Sequence, residues 1–257
     1  MTLRVAVSKM HGACNDFIVV DGRKQSVADL RTFALAACDR HAGIGADGVL
    51  VIERSPRAPV AMRVINNDGS EAQMCGNGVR CIARYLDEAG EGGEFDIDTP
   101  AGIVHTSVIE RGEIYRVRVD MGEPHIESRD ETEPQSAIVD TGNRHLVLFR
   151  DGIEAFDLLA IGEATKSDPR YPGGINVHLV AIEDRHTLRV RHYERGAGLT
   201  MACGTGAVAC AIAAIVGGEA TSPVLVRVPG GELRIEWDGR GHAFMTGPAV
   251  HVFDTQL

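Results

Sequence analysis

Lysine is nearly absent from this chain. Of 26 basic residues only Lys9, Lys24 and Lys166 are lysine, and none stands in a recognisable Schiff-base context. Nothing therefore points to pyridoxal phosphate, and no cofactor is expected. Positive charge is short as a whole: 36 acidic residues leave a formal net charge of −10. Nucleic acid or an anionic membrane surface would repel such a chain, which argues against both as partners. Long apolar runs are missing too. The longest, Ala207 to Val216, is about half of what a membrane span needs. The N-terminal residues have no signal-peptide layout, so a cytoplasmic chain is expected. The sequence also lacks any Cys-x-x-Cys pair. The six cysteines (Cys14, Cys38, Cys75, Cys81, Cys203 and Cys210) have spacings unlike a zinc knuckle, so no metal site is expected. Without a secretion signal they are expected to be free rather than bridged.

What is present is a repeated turn. Met74-Cys75-Gly76-Asn77-Gly78 and Ala202-Cys203-Gly204-Thr205-Gly206 each set a cysteine before a Gly-x-Gly that runs into a small-residue helical pattern. The two cysteines are 128 residues apart in a chain of 257. Glycine lets backbone amides approach a ligand, and the helix that follows aims free N–H groups and its positive dipole end at the thiol. Such a place lowers a thiol pKa and also makes an anion site. The dipole supplies at most about 1.5 pKa units, so a neighbouring base would help. Glu194, nine residues before Cys203, and His145 in Gly142-Asn143-Arg144-His145 are the candidates. A carboxylate beside a thiol disfavours a standing thiolate, so Glu194 is expected to be a transient proton acceptor or an orienter. The other four cysteines read as small buried hydrophobes.

Shifting the sequence by 128 aligns more than the cysteines. Asn15 falls on Asn143, Gly48 on Asn176, and Asn66 on Glu194. A shift of 129 brings Thr99-Pro100-Ala101-Gly102 onto Val228-Pro229-Gly230-Gly231. The shared order of these landmarks predicts a duplicated half-domain. Apolar periodicity predicts the same elements twice: a strand (17–21; 146–149), a helix (27–41; 156–164), two strands (49–53 and 61–66; 177–182 and 187–193), the cysteine turn, a helix (79–88; 207–215) and β-rich tails (95–110 and 115–121; 224–237 and 243–253). The polar segment Glu123–Ser136 reads as the linker. The expected fold is α/β (α+β): two pseudo-symmetric lobes, each a strand-rich barrel-like sheet around a central helix. Residues 1–122 would form the lobe carrying Cys75, joined by a C-terminal strand at about 248–257, and 123–247 the lobe carrying Cys203. Gly43-Ile44-Gly45-Ala46-Asp47-Gly48 matches G-x-G-x-x-G, but a helix-like stretch precedes it and an apolar strand follows. That is the reverse of a dinucleotide site, and the match is set aside.

Taken together these motifs resemble diaminopimelate epimerases over essentially the whole chain. The resemblance is carried by Lys9-Met10-His11-Gly12, Asn15-Asp16-Phe17, Gly43 to Gly48, Asn66-Asn67-Asp68-Gly69, Tyr193-Glu194-Arg195-Gly196 and the two Cys-Gly turns. It implies a cofactor-independent homodimeric epimerase that interconverts LL- and meso-diaminopimelate, with the active site in the cleft between the lobes. It further implies that Cys75 and Cys203 are the catalytic acid and base, assisted by His145 and Glu194. Asn15, Asn66, Asn143, Asn176, Glu194 and Arg195 would bind the substrate's amino and carboxylate groups. Amides of Gly76, Asn77, Gly204 and Thr205 would hold the reacting carboxylate. Arg144 departs from the family's usual proline and Cys14 from a common glycine. Arg144 therefore keeps open an epimerase or racemase of another amino acid. A thiol redox sensor and a non-catalytic amino-acid-binding module are the readings from other classes.

Overall fold

The computed structural model describes residues 4–112, 114–132 and 135–257. In chain order the elements are β1 (Ala6–Gly12), β2 (Asn15–Asp21), α1 (Leu30–Ala37), β3 (Gly48–Glu53), β4 (Val60–Asn66), β5 (Glu71–Ala72), α2 (Gly76–Glu88), β6 (Glu94–Thr99), β7 (Gly102–Glu110) and β8 (Arg116–Asp120). They continue with β9 (His125–Asp130), β10 (Ser136–Asp140), β11 (Arg144–Phe149), α3 (Leu158–Ala164), β12 (Asn176–Asp184), β13 (Thr187–Glu194), β14 (Gly198–Thr200), α4 (Gly204–Val216), β15 (Val224–Val228), β16 (Gly231–Glu236), β17 (Phe244–Pro248) and β18 (Val250–Gln256). Two compact units result, one running up to Val119 and including Gly247–Leu257, the other Asp120–Thr246. The boundaries fall at 119/120 and 246/247, where the sequence suggested 122/123 and 247/248.

In the first unit the strands pair in the order β18-β1-β2-β3-β4-β6-β7-β8, with β5 added to β4. The β2–β3 and β4–β6 pairings are parallel and the rest antiparallel. In the second unit the order is β9-β10-β11-β12-β13-β15-β16-β17, with β14 added to β13. Its parallel pairs are β11–β12 and β13–β15, the equivalent positions. The landmarks of the 128-residue shift take matching places. Gly48 and Asn176 open β3 and β12, Asn66 and Glu194 close β4 and β13, and the cysteines cap α2 and α4.

Each sheet is covered on two faces. Val49 and Val51 of β3 pack with Ile18, Val20, Ile65, Ala34 and Ala37 beneath α1. Leu50, on the opposite face, meets α2, where a Cβ at Gly78 would lie 2.9 Å from its side chain. A strand buried on both faces must be apolar at successive positions, as Gly48-Val-Leu-Val-Ile is. α2 lies against β1, β2, β3, β4, β6, β7 and β18, and α4 against β10, β11, β12, β13, β15 and β16. α4 is apolar around almost its whole circumference, with ten buried residues of which five are alanine. A helix apolar all round has to be enclosed, and its small side chains let the surrounding strands come close.

Several segments differ from the sequence expectation. Glu123–Ser136 contains β9, hydrogen-bonded to β10, rather than a free linker; residues 133 and 134 lie outside the described residues. β9 is mostly solvent-facing, so its polar composition reflects an edge strand held by backbone bonds. α1 is shorter than 27–41. It starts after Asp29, whose carboxylate accepts from Thr32 N, and it ends where the Asp39 carboxylate accepts from the amides of His41 and Ala42. The two central helices start at Gly76 and Gly204, three residues earlier than periodicity suggested. Finally, β1 and β2 are joined by Ala13 and Cys14, both left-handed at φ 52° and 62°, and Cys14 is exposed at this turn rather than buried as expected. That two-residue hairpin conformation favours Asn-Gly, so the turn costs conformational energy and delivers Asn15 at the start of β2.

Candidate active site

Both cysteines occupy the N-cap of a central helix. Cys75 (φ −141°, ψ 110°) accepts at sulfur from the Gly78 amide at 3.4 Å, and Cys203 (φ −122°, ψ 112°) accepts from the Gly206 amide at the same distance. The thiol thus does the work of a capping hydroxyl, at the third amide of the helix. The amides of Gly76 and Asn77, and of Gly204 and Thr205, are the other N–H groups of each first turn that have no carbonyl to bond within the helix itself. A side chain at Gly206 has no room, because its Cβ would lie 3.1 Å from the Cys203 sulfur and 2.5 Å from His178.

In the first unit Cys75 is half-buried and donates its S–H to Asn15 Oδ1 at 3.7 Å. The same oxygen accepts from Asn77 Nδ2 at 3.1 Å. Asn15 Nδ2 in turn donates to Asp47 at 2.7 Å, which fixes the amide's orientation. Asp47 is anchored by Arg40, which also pairs with Asp16, itself bound by Lys9. Asn77 is held from the other side by Arg80, whose guanidinium donates to Asn77 Oδ1 at 2.8 Å and to the carbonyls of Gly76 and Pro248. Arg80 is wholly buried, and burial lowers its pKa to about 10, still charged at neutral pH. Asn66 closes β4, opposite Gly48, with its amide donating to Ser70 Oγ.

In the second unit the Cys203 thiol is buried and lies against Glu194 and Thr205, whose hydroxyl is 3.6 Å from the sulfur. Burial, reinforced by the Glu194 charge, pushes this thiol well above the ordinary range; Thr205 and the Gly206 amide pull the other way and lose. The lowered pKa expected from the helix N-terminus is therefore overturned at Cys203, because desolvation exceeds what a helix end supplies. Cys203 rests as a thiol, with the Glu194 carboxylate as the nearby acceptor. Thr200 Oγ donates to Glu194 at 2.6 Å and orients it. Asn176 spans two backbone groups: its Nδ2 donates to the Arg144 carbonyl and its Oδ1 accepts from the Arg195 amide at 2.9 Å. It fastens the start of β11 to the end of β13, leaving the Arg195 side chain at the surface.

His145, expected to assist catalysis, is held by two neighbours. Both ring nitrogens are engaged, Nε2 with Asn143 Oδ1 at 2.9 Å and Nδ1 with His178 Nε2 at 2.8 Å. Burial pushes its pKa down to about 3, so it is neutral at any working pH. Arg144, at the family's proline position, is exposed and bound by both oxygens of Glu127 at 2.6–3.0 Å. Sequence reasoning missed Asp47, Thr200, His178 and His192. Asp47 lay within the G-x-G-x-x-G match that was set aside as a dinucleotide loop. His178 and His192 gave no signal, since only the β12–β13 register brings them opposite one another. Among the described residues no group of three or more His, Cys, Asp or Glu side chains is arranged to hold a metal ion, and no helix is long and apolar enough to cross a membrane.

A sequence model of diaminopimelate epimerase matches residues 7–127 and 137–252. The chain belongs to the diaminopimelate epimerase family. Relatives bearing that family name include one from Moorella thermoacetica, 41% identical over 95% of this chain and 96% of its own length. Another, from Bacteroides thetaiotaomicron, is 40% identical over 100% and 99%. Family members are isomerases, and the two-lobed duplicated fold is shared more widely. A Bacillus anthracis protein of the PhzF phenazine-biosynthesis family superposes with a TM-score of 0.78 over 99% of both chains at 15% identity. A hydroxyproline epimerase from Agrobacterium vitis gives 0.75 over 100% of this chain and 93% of its own at 14% identity. At such identities the likeness concerns the fold alone.

Proposed function

We propose that this chain interconverts LL- and meso-diaminopimelate by a two-base thiol mechanism without a bound cofactor. The observation that carries this reading is the pair of cysteine-capped helices, one per unit, in a chain of this family. Inverting an α-carbon requires taking its proton on one face and returning one on the other, by groups that exchange roles in the reverse direction. Cys203, kept protonated beside Glu194, is the donor in the resting enzyme, and Cys75 takes the α-proton as a thiolate once the S–H proton it shows to Asn15 Oδ1 has been lost to solvent. Loss of the α-proton moves negative charge onto the substrate carboxylate. The amides of Gly76, Asn77, Gly204 and Thr205, at two helix N-termini, are suited to stabilise it. Asn15, Asn66, Asn143 and Arg195 are the proposed binding groups for the amino acid, with Asn176 organising Arg195 rather than reaching the ligand by both ends of its amide. Homodimer assembly and cytoplasmic residence belong to the same proposal.

The rival substrate reading rested on Arg144 standing where the family usually has proline, with an added charge and a looser turn before His145; its guanidinium is paired with Glu127. The test is turnover of LL-diaminopimelate beside a panel of single amino acids. Epimerisation of diaminopimelate alone is expected; turnover of a panel member without diaminopimelate would sink the proposal.

A further inference from the structure

His178 and His192 face one another across β12 and β13, and both are buried with His145 inside the second unit. Their rings form a chain: His145 Nδ1 to His178 Nε2 at 2.8 Å, then His178 Nδ1 to His192 Nδ1 at 2.8 Å. The far nitrogen, His192 Nε2, is buried without a hydrogen-bond partner among the described residues. With the Asn143 oxygen facing His145, one sense of donation follows. Asn143 Oδ1 can only accept, so His145 Nε2 carries the proton and its neutral ring accepts at Nδ1. His178 must then donate from Nε2 and accept at Nδ1, and His192 must donate from Nδ1. The chain ends on a bare lone pair at His192 Nε2. Reversing every bond, with the Asn143 amide turned round, would end it on a buried N–H without an acceptor, the costlier defect.

We infer that His178 and His192 are positioning residues for substrate binding: through His145 they lock the exposed Asn143 amide with its NH2 outward, selecting a hydrogen-bond acceptor such as an amino-acid carboxylate. This rests on Asn143 belonging to the amino-acid site. The first unit fixes the equivalent Asn15 by a different device, the Asp47 carboxylate. A charged acceptor there and a neutral relay here give the two equivalent amides separate orientations. The chain also abuts the thiol helix, since the Cβ that Gly206 lacks would meet both His178 and Cys203.

The test combines a spectroscopic and a kinetic measurement on the full-length protein. Nitrogen-15 spectra of the imidazoles should show protonated Nε2 on His145 and His178, and protonated Nδ1 with bare Nε2 on His192. A proton on His145 Nδ1 overturns the inference, and this reading needs no variant to fold. His178→Leu removes the donor to His145 and should raise KM for diaminopimelate about tenfold with kcat within about threefold. His178→Gln keeps an N–H donor and should restore KM. If Asn143→Ala raises KM but His178→Leu does not, the relay is wrong and the site reading stands. If Asn143→Ala leaves KM unchanged, the site reading fails whatever the tautomers show.

Discussion

At the scale of single residues, the two thiols are alike in backbone and unlike in company. Each caps a helix and takes an amide from the second glycine of its turn, yet Cys75 leans on a neutral amide and Cys203 on a carboxylate. Burial, reinforced by the Glu194 charge, pushes the Cys203 thiol well above its ordinary range. Glu194→Gln preserves an oxygen for Thr200 to donate to while removing the charge. The titration of Cys203, followed by its rate of alkylation against pH, is expected to move down, and kcat to fall about 100-fold. An unchanged titration would show that Glu194 does not act on the thiol. Cys75, Cys203, Glu194, Asn15 and Asn143 were all legible as residues, because the chemistry of a Cys-Gly-x-Gly turn and the repeat single them out. Their partners were not. Asp47 and Thr200 meet Asn15 and Glu194 through tertiary proximity, and the partners of both His145 nitrogens, Asn143 and His178, come from the fold.

At the scale of elements, periodicity located the repeated strands and both central helices, since amphipathic or wholly apolar segments announce themselves. Edges were harder. β9 is polar because one side faces solvent, and α1 stops early because the Asp39 carboxylate captures two amides that a longer helix would have used. Register carries the most information absent from a linear reading. The pairing of His178 with His192, and of β11 beside β12, gathers three histidines beneath α4. Burial pushes His145 and His192 down to about 3, and His178 well below its ordinary 6.5, with mutual repulsion adding to His145 and His178. In the unfolded chain each would take up a proton near 6.5. The stability they allow is therefore complete above that pH and is lost as pH falls toward about 3. Going from about pH 7.5 to about 5.5 should cost about 4 kcal/mol from the three together, at about 1.4 per group per unit. Denaturant unfolding across that range checks it. A flat profile would mean that the rings are hydrated or already charged in the folded protein.

At the scale of the molecule, duplication explains both the sameness and the difference of the halves. Eight strands pair in the same order and sense in each unit, each sheet lies against one central helix, and each helix starts at a cysteine. Against that common frame Asn66 stands where the other unit has Glu194, and Gly48 where it has Asn176. The strand order and the shift of 128 were readable together, because a repeat must place its landmarks at the same points of the same fold. The central claim is that the two equivalent thiols serve one α-carbon, one removing a proton and the other supplying it. Epimerisation of LL-diaminopimelate in deuterated water tests it, comparing the native protein with Cys75→Ser and Cys203→Ser. The account predicts deuterium at the inverted α-carbon of the native product and a fall of roughly 100-fold or more in that incorporation with either substitution. Deuterium appearing at the native rate in either variant would contradict it.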